Sequence, residues 1–464
     1  MQQEEKPKIR RIRQISVTNL FGIFTHTIPL KMEERITIIH GPNGFGKTMM
    51  LKLLHALFSQ SNRLLQTIPF DEFRVDFEDS ISFWISKAPQ ISESTEEERA
   101  DDREIIFHAT GNKPYSLRWK SLAKAKYSLA QLSTIENLIP SLIRIGTETW
   151  QDRRTGAYFY LEEVIDQFAD RLPVEFTGER TKMPEWLVEM RKSISIRFIE
   201  TQRLLSSTRP KRSAFERAVH SPQEEYAVIA DTRHLVEMIG KKLTESARLS
   251  QSLDRTFPAR LISPATQHLR VAEDELVNKL KQLEEKRSQL MATGLLDKET
   301  EPAIPVGSDQ GISSDTKTVL AVYVEDTEKK LGIFDELAQK INLLTTIINS
   351  RFLYKTMTID KEKGFVFTSK NGNVLPLEDL SSGEQHELVL FYELLFRVTP
   401  GSLILIDEPE LSLHVVWQEQ FLKDVQQITQ LTDIDIILAT HSPDIISNRR
   451  DLVVELEAPR NGRL

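Results

Sequence analysis

Apolar and polar positions alternate along IRQISVTNLFGIFTHTIPL near the N-terminus, with β-branched residues and a turn between two runs, which predicts a pair of strands. Arg35 to His40, RITIIH, is a short continuous apolar run and reads as a buried central strand entering a glycine-rich turn. From Thr48 onward MMLKLLHALF changes to helical spacing. FRVDFEDSISFWI and REIIFHAT read as further strands, separated by the acidic run Glu93 to Glu104, which reads as a solvated loop. SISIRFIE, Ser193 to Glu200, is another strand running into TQRLL.

From Ser221-Pro222, an N-cap and first-turn proline pattern, the chain turns helical. Leu269, Leu276, Leu283 and Leu290 recur every seven residues in an imperfect seam that also holds Glu273 and Arg287. Leu320, Val324, Thr327, Leu331, Phe334, Ala338, Ile341, Thr345 and Ile348 alternate spacings of four and three, the pattern of one continuous coiled-coil helix. TGLLDKETEPAIPVGSDQG between the two seams reads as a loop or tip. A projecting antiparallel hairpin and a compact helical lobe both fit. The remainder returns to α/β patterning, with the buried strand SLILID and the strand DIIL among helices. The expected organisation is an α/β head built from residues 1–215 and 356–464, with a helical, coiled-coil-like insertion over 216–355.

Composition narrows this picture without changing it. The 464 residues exceed what one hydrophobic core usually organises, and 40% of them are apolar, enough for a sizeable core. Sixty basic against sixty-eight acidic residues give a net charge of -8, so contact with nucleic acid would need a local patch. One candidate is Lys113, Arg118, Lys120, Lys124 and Lys126 around Trp119 and Tyr127, which also reads as an ordinary surface patch. The absence of cysteine excludes disulfides, thiolate zinc sites and thiol catalysis, and fits a reducing cytoplasm. No run of about eighteen uncharged apolar residues occurs, so a soluble cytoplasmic protein without membrane contact is expected.

Gly41 to Thr48, GPNGFGKT, satisfies GxxxxGKT between a predicted strand and a predicted helix, the context a phosphate loop requires. Asn43, Gly44 and Gly46 lie in the backbone cradle, Lys47 is placed to neutralise β- and γ-phosphate charge, and the Thr48 hydroxyl to ligate magnesium. SLILIDEPE ends a buried strand in Asp407, a second magnesium ligand, and Glu408, placed to orient or deprotonate an attacking water. ATP and Mg2+ are therefore the expected cofactors. LSSGEQ, residues 380–385, opens a helix whose positive end, at Ser382 and Gly383, can face a phosphate. His441 follows the strand IDIILAT, within reach of a γ-phosphate, and Gln202 is a candidate for sensing magnesium and the attacking water. Arg203, Arg209, Lys211 and Arg212 read either as phosphate contacts or as a solvated loop.

These elements, in this order around a helical insertion, resemble the ABC-type ATPases of the SMC, RecF and OLD group. The resemblance covers roughly residues 1–60 and 360–450. It implies that both chain ends meet in one ATPase head, and that two heads share ATP. Ser382 and Gly383 of one copy would then cap the γ-phosphate held by the other, in a head-to-head dimer or a larger homo-oligomer. It also gives Leu411 to His414 the place of the D-loop and His441 that of the switch histidine. The DEPELSLH form favours a soluble branch over transporters, and the insertion is too short for SMC arms. No TOPRIM or HNH pattern follows His441. The plan is similar to the stand-alone ATPase subunits of two-gene bacterial antiphage systems such as PARIS and Septu. The resemblance implies a separately encoded effector nuclease of TOPRIM or HNH type, and DNA or a phage protein as trigger. A RecF-like ATPase that clamps DNA in repair, and a nucleotide-dependent scaffold with negligible turnover, are the competing expectations.

Overall fold

The computed structural model describes residues 9–59, 62–87, 104–110, 114–119, 129–146, 149–152, 158–161, 164–165, 168, 172–173, 183–199, 205–206, 225–262, 272–297 and 314–457. The chain divides into two compact units, one of residues 1–203, 207–224 and 397–464, the other of 204–206 and 225–396.

The first unit contains a five-stranded parallel sheet in the order Ile196–Ile199, Leu403–Asp407, Asp435–Thr440, Ile36–His40, Val453–Glu455. Leu403–Asp407 is buried along its whole length, the continuous apolar run that a central parallel strand needs. A six-stranded antiparallel sheet runs Phe24–Pro29, Ile12–Leu20, Glu72–Phe77, Ser82–Lys87, Ile105–Ala109, Tyr115–Trp119. Its strands alternate instead. Phe73, Val75, Phe83, Ile85, Ile105 and Phe107 enter the core, which is shared with the helix Lys47–Ser59 and with Leu405 and Ile437 of the parallel sheet. On the opposite face Trp84 is flanked by Arg74, 5.0 Å from its ring centroid, and by the His108 ring, stacked at 5.0 Å. These are direct cross-strand neighbours, and such ladders fix strand register. The buried Arg191 ties the helix Glu185–Lys192 to Leu57 O at 3.0 Å and Asn62 Oδ1 at 2.6 Å. A satellite core gathers Leu132, Ile135, Trp150 and Val164 beside a small sheet of Leu142–Arg144, Thr149–Asp152 and Tyr158–Tyr160.

In the second unit the helices Ala227–Ile262, Glu273–Ala292 and Ser314–Gly332 pack together, with Ser314–Gly332 touching both others. Arg260 clasps Asp326 through two bonds of 2.5 and 2.6 Å, and Leu276, Leu280, Leu283 and Leu290 face inward. Leu269 lies outside the described residues, as do Ser221 and Pro222. The single helix expected over 320–348 is two, because the chain turns at 333–334 and restarts as Asp335–Arg351. Gly332 is a weak helix former, Phe334 is buried at the turn, and Asp335 and Glu336 favour a new helix start. Buried Val322, Leu337, Leu344 and Ile347 widen the apolar face beyond a two-position seam, as packing inside a globular lobe demands. A three-stranded antiparallel sheet, Lys355–Asp360, Gly364–Ser369 and Val374–Leu375, and the helix Ser382–Phe396 complete the unit. There Arg351 pairs with Glu387, both almost fully enclosed, while its guanidinium lies 4.8 Å from the Phe391 centroid.

Among the described residues no helix is long and apolar enough to cross a membrane. Of the basic patch, Arg118 pairs with Glu104 at 3.5 Å, whereas Lys113, Lys120, Lys124, Lys126 and Tyr127 lie outside the described residues.

Candidate active site

The order of the parallel strands positions the site. Asp435–Thr440 lies between the phosphate-loop strand Ile36–His40 and the acidic strand Leu403–Asp407, with His40 beside Thr440 and Ala439 beside Asp407. All three strands therefore end at one level, and the loops that follow converge there, the usual ligand-binding edge of a parallel sheet.

At that edge the phosphate loop turns through Gly44 and Gly46, with φ of 86° and 84°, which only glycine adopts at little cost. A side chain at Gly46 would begin 2.7 Å from Leu20 Cδ2, whereas at Gly44 nothing stands within 4 Å. Asn43 and Gly44 are exposed at the crest of the loop. Lys47 is buried at the first turn of its helix and donates to Gly41 O at 2.7 Å and Pro42 O at 3.1 Å. The Thr48 hydroxyl donates to Asp407 Oδ1 at 3.1 Å, across the intervening strand. Burial raises the Asp407 pKa, with Glu408 and Glu410 pushing the same way, against the Thr48 hydrogen bond and Lys52. A hydroxyl and a buried carboxylate side by side, in an acidic surrounding, form a donor set that suits a hard divalent cation.

Glu408 follows in a left-handed conformation, φ 43° and ψ 56°, with its amide bonded to Ala439 O at 2.9 Å. Pro409–Ser412 then forms a short 3-10 turn. That turn brings Glu410 back to the end of the neighbouring strand, where its Oε1 accepts from Thr440 Oγ1 at 2.7 Å and from the His441 amide at 2.9 Å. His441 Nδ1 lies 3.0 Å from the same oxygen. Gln418 braces the arrangement, accepting from Ser442 Oγ at 2.8 Å and donating to Leu413 O at 3.2 Å. Sequence reasoning missed Glu410. Its only local signal is a third acid in the run Asp407-Glu408-Pro409-Glu410.

The second unit holds the LSSGEQ segment. Ser381 and Glu384 form a capping box: the Ser381 amide and hydroxyl each donate to Glu384 Oε2 at 2.8 Å, and the Glu384 amide reaches Ser381 Oγ at 3.4 Å. Lys355 clamps the same carboxylate at 2.9 and 2.7 Å. Burial opposes ionisation of Glu384, but the bonds from Lys355 and Ser381 outweigh it and hold its pKa below the usual value. Buried Gln385 donates to Leu380 O at 2.9 Å and so pins the approach to the helix. The result is a rigid helix start with Ser381 and Ser382 exposed and Gly383 half-exposed.

The structure thus brings Lys47, Thr48, Asp407, Glu408 and His441 to one sheet edge of the first unit and puts Ser382 and Gly383 in the second. Gln202, Arg203, Arg209, Lys211 and Arg212 lie outside the described residues. Among the described residues no group of three or more His, Asp and Glu side chains is arranged to hold a metal ion.

A family profile described as "AAA domain, putative AbiEii toxin, Type IV TA system" matches residues 36–447, from the phosphate-loop strand to just past His441. The chain belongs to this family. Membership and the strand, glycine loop and helix arrangement establish an α/β P-loop ATPase fold with a helical insertion. Among solved structures, the chain is similar to an Smc head domain with an extended coiled coil from Pyrococcus furiosus, bound to the C-terminal domain of ScpA. That match has 12% identity and a TM-score of 0.34, covering 95% of this chain and 92% of that one. It is also similar to the SMC head domain from Thermotoga maritima, with 9% identity and a TM-score of 0.31, covering 96% and 94%. No curated protein matches the chain.

Proposed function

We propose that this AAA-family protein hydrolyses ATP in a site completed by a second copy of the chain, and that hydrolysis controls an assembly. The observation that supports it most is the Thr48 hydroxyl 3.1 Å from Asp407, with Glu408 next in the chain and the glycine cradle beside them. In this reading the loop amides and Lys47 bind the β- and γ-phosphates, and Thr48 and Asp407 hold Mg2+. The metal, when bound, neutralises charge across the phosphates. Glu408 orients and deprotonates the attacking water, and His441 contacts the γ-phosphate. Ser382 and Gly383 of the partner copy cap that phosphate, using the exposed start of a helix already braced by Glu384. Exposed Leu411, Val415 and Val416, three to eight residues after Glu408 in the chain, supply apolar surface for the joint between copies.

The resemblance to ATPases of two-gene antiphage systems extends this reading. The protein is then the sensor or scaffold subunit, and the destructive chemistry belongs to a separately encoded nuclease. The family description, which names a putative AbiEii toxin and a type IV TA system, is compatible with a protein that acts alongside another chain.

Ser382→Arg tests the shared site. Turnover should vanish while binding of a fluorescent ATP analogue stays within about twofold, since in this reading the residue caps the nucleotide of the partner copy. Full turnover in this variant, or full turnover by a monomer, refutes the composite site. Affinity purification with mass spectrometry tests the assembly. A co-purifying nuclease supports the switch, whereas tight, salt-sensitive DNA binding without a protein partner replaces it with a DNA clamp.

A further inference from the structure

Thirty residues separate Glu410 from Thr440, yet one oxygen of Glu410 accepts from the Thr440 hydroxyl and the His441 amide, and His441 Nδ1 lies 3.0 Å from the same oxygen. The backbone and the ring of His441 therefore meet at one carboxylate oxygen. Gln418 fixes the other end of the lever, through the Leu413 carbonyl and the Ser442 hydroxyl. Glu410 is 9% exposed, and its second oxygen, Oε2, is buried without a hydrogen-bond partner. The His441 side chain is 42% exposed, so its outer edge is open.

Keeping a charge here needs a reason, because burying a carboxylate is costly. The oxygen that accepts from Thr440 and from the His441 amide is the one that faces Nδ1, so that nitrogen meets only an acceptor. A leucine of similar size offers no acceptor and would leave the proton on the imidazole unspecified. An ionised carboxylate only accepts, so the ring nitrogen facing it must bear the hydrogen.

We propose that Glu410 is the positioning residue for His441, holding the proton on Nδ1 and turning Nε2 outward toward the reacting phosphate. The same logic operates wherever a carboxylate orients a working histidine through its far nitrogen. This inference rests on the hydrolysis reading above for what Nε2 faces, but the tautomer does not depend on it. Glu410 and Glu408 therefore divide the labour: Glu408 acts on the water, Glu410 acts through His441.

The experiment uses the full chain labelled with 15N in its histidine rings, with His441→Asn identifying the His441 signals. The neutral ring should be protonated on Nδ1, and Glu410→Leu, which removes the acceptor, should shift it toward the Nε2-protonated form. Turnover in Glu410→Leu should fall roughly 10- to 100-fold with the KM for ATP within about twofold. The double variant Glu410→Leu, His441→Asn should be no slower than His441→Asn alone. An Nε2-protonated ring in the unmodified protein, or a further loss in the double variant, overturns the proposal. If the unmodified protein does not hydrolyse ATP, the hydrolysis reading fails, and the tautomer in the unmodified protein still decides the positioning role. That measurement also stands if Glu410→Leu does not fold.

Discussion

Asp407 and Glu384 are both buried carboxylates hydrogen-bonded to a neighbouring hydroxyl, yet their pKa values move in opposite directions. Burial raises Asp407, and two further acids, Glu408 and Glu410, add to the effect. Burial also works against Glu384, but Lys355 and the Ser381 bonds reverse the outcome. The difference separates a finished structural element from an unfinished chemical one. Glu384 has its own cation and spends its charge on the start of a helix. Asp407 stands among acids, where a divalent cation is the natural complement.

That contrast can be broken at three places, beginning with the largest effect. Glu408→Gln should lower phosphate release roughly 10²- to 10⁴-fold while leaving thermal stability unchanged, and ATP-joined assemblies should persist in size-exclusion chromatography. Unchanged hydrolysis would remove Glu408 from the chemistry. Glu384→Gln should instead cost about 1–2 kcal/mol in urea unfolding at neutral pH. Because the folded pKa of Glu384 is depressed, its stabilisation is present above the unfolded carboxylate pKa and is lost as pH falls through the folded value. The gap between variant and parent should therefore close in acid, and a gap independent of pH would show that the charge is irrelevant. Asp407→Asn has the opposite sign. With a raised folded pKa, Asp407 contributes fully below its unfolded pKa and loses that contribution as pH rises through the folded one. At neutral pH, without magnesium, the variant should melt roughly 1–2 °C higher, a gain of about 1 kcal/mol. A lower melting point would contradict the reading of Asp407 as a strained acid.

Local structure was readable from the chain, and long-range contacts were not. The strand, glycine turn and helix around Lys47, the buried acidic strand before Glu408, and the helix opening at Ser382 are each specified within about ten residues. Their elements appear where the pattern put them. The turn at 333–334 escaped because the four-three spacing runs straight through it, while Gly332, buried Phe334 and the acidic start at Asp335 and Glu336 mark the break only weakly. The partners of Glu384 and Glu410 escaped for another reason. Lys355 lies 29 residues from Glu384, and Thr440 lies 30 from Glu410, so sheet and helix packing create these contacts without any spacing rule.

Glu408 occupies a left-handed backbone, at φ 43°, where glycine or asparagine would sit more comfortably. In the proposed reading, stability and turnover therefore favour different residues at this one position. Glu408→Gly and Glu408→Asn are then expected to relax the backbone and raise the melting temperature while removing the carboxylate, so that a gain in stability accompanies the loss of turnover.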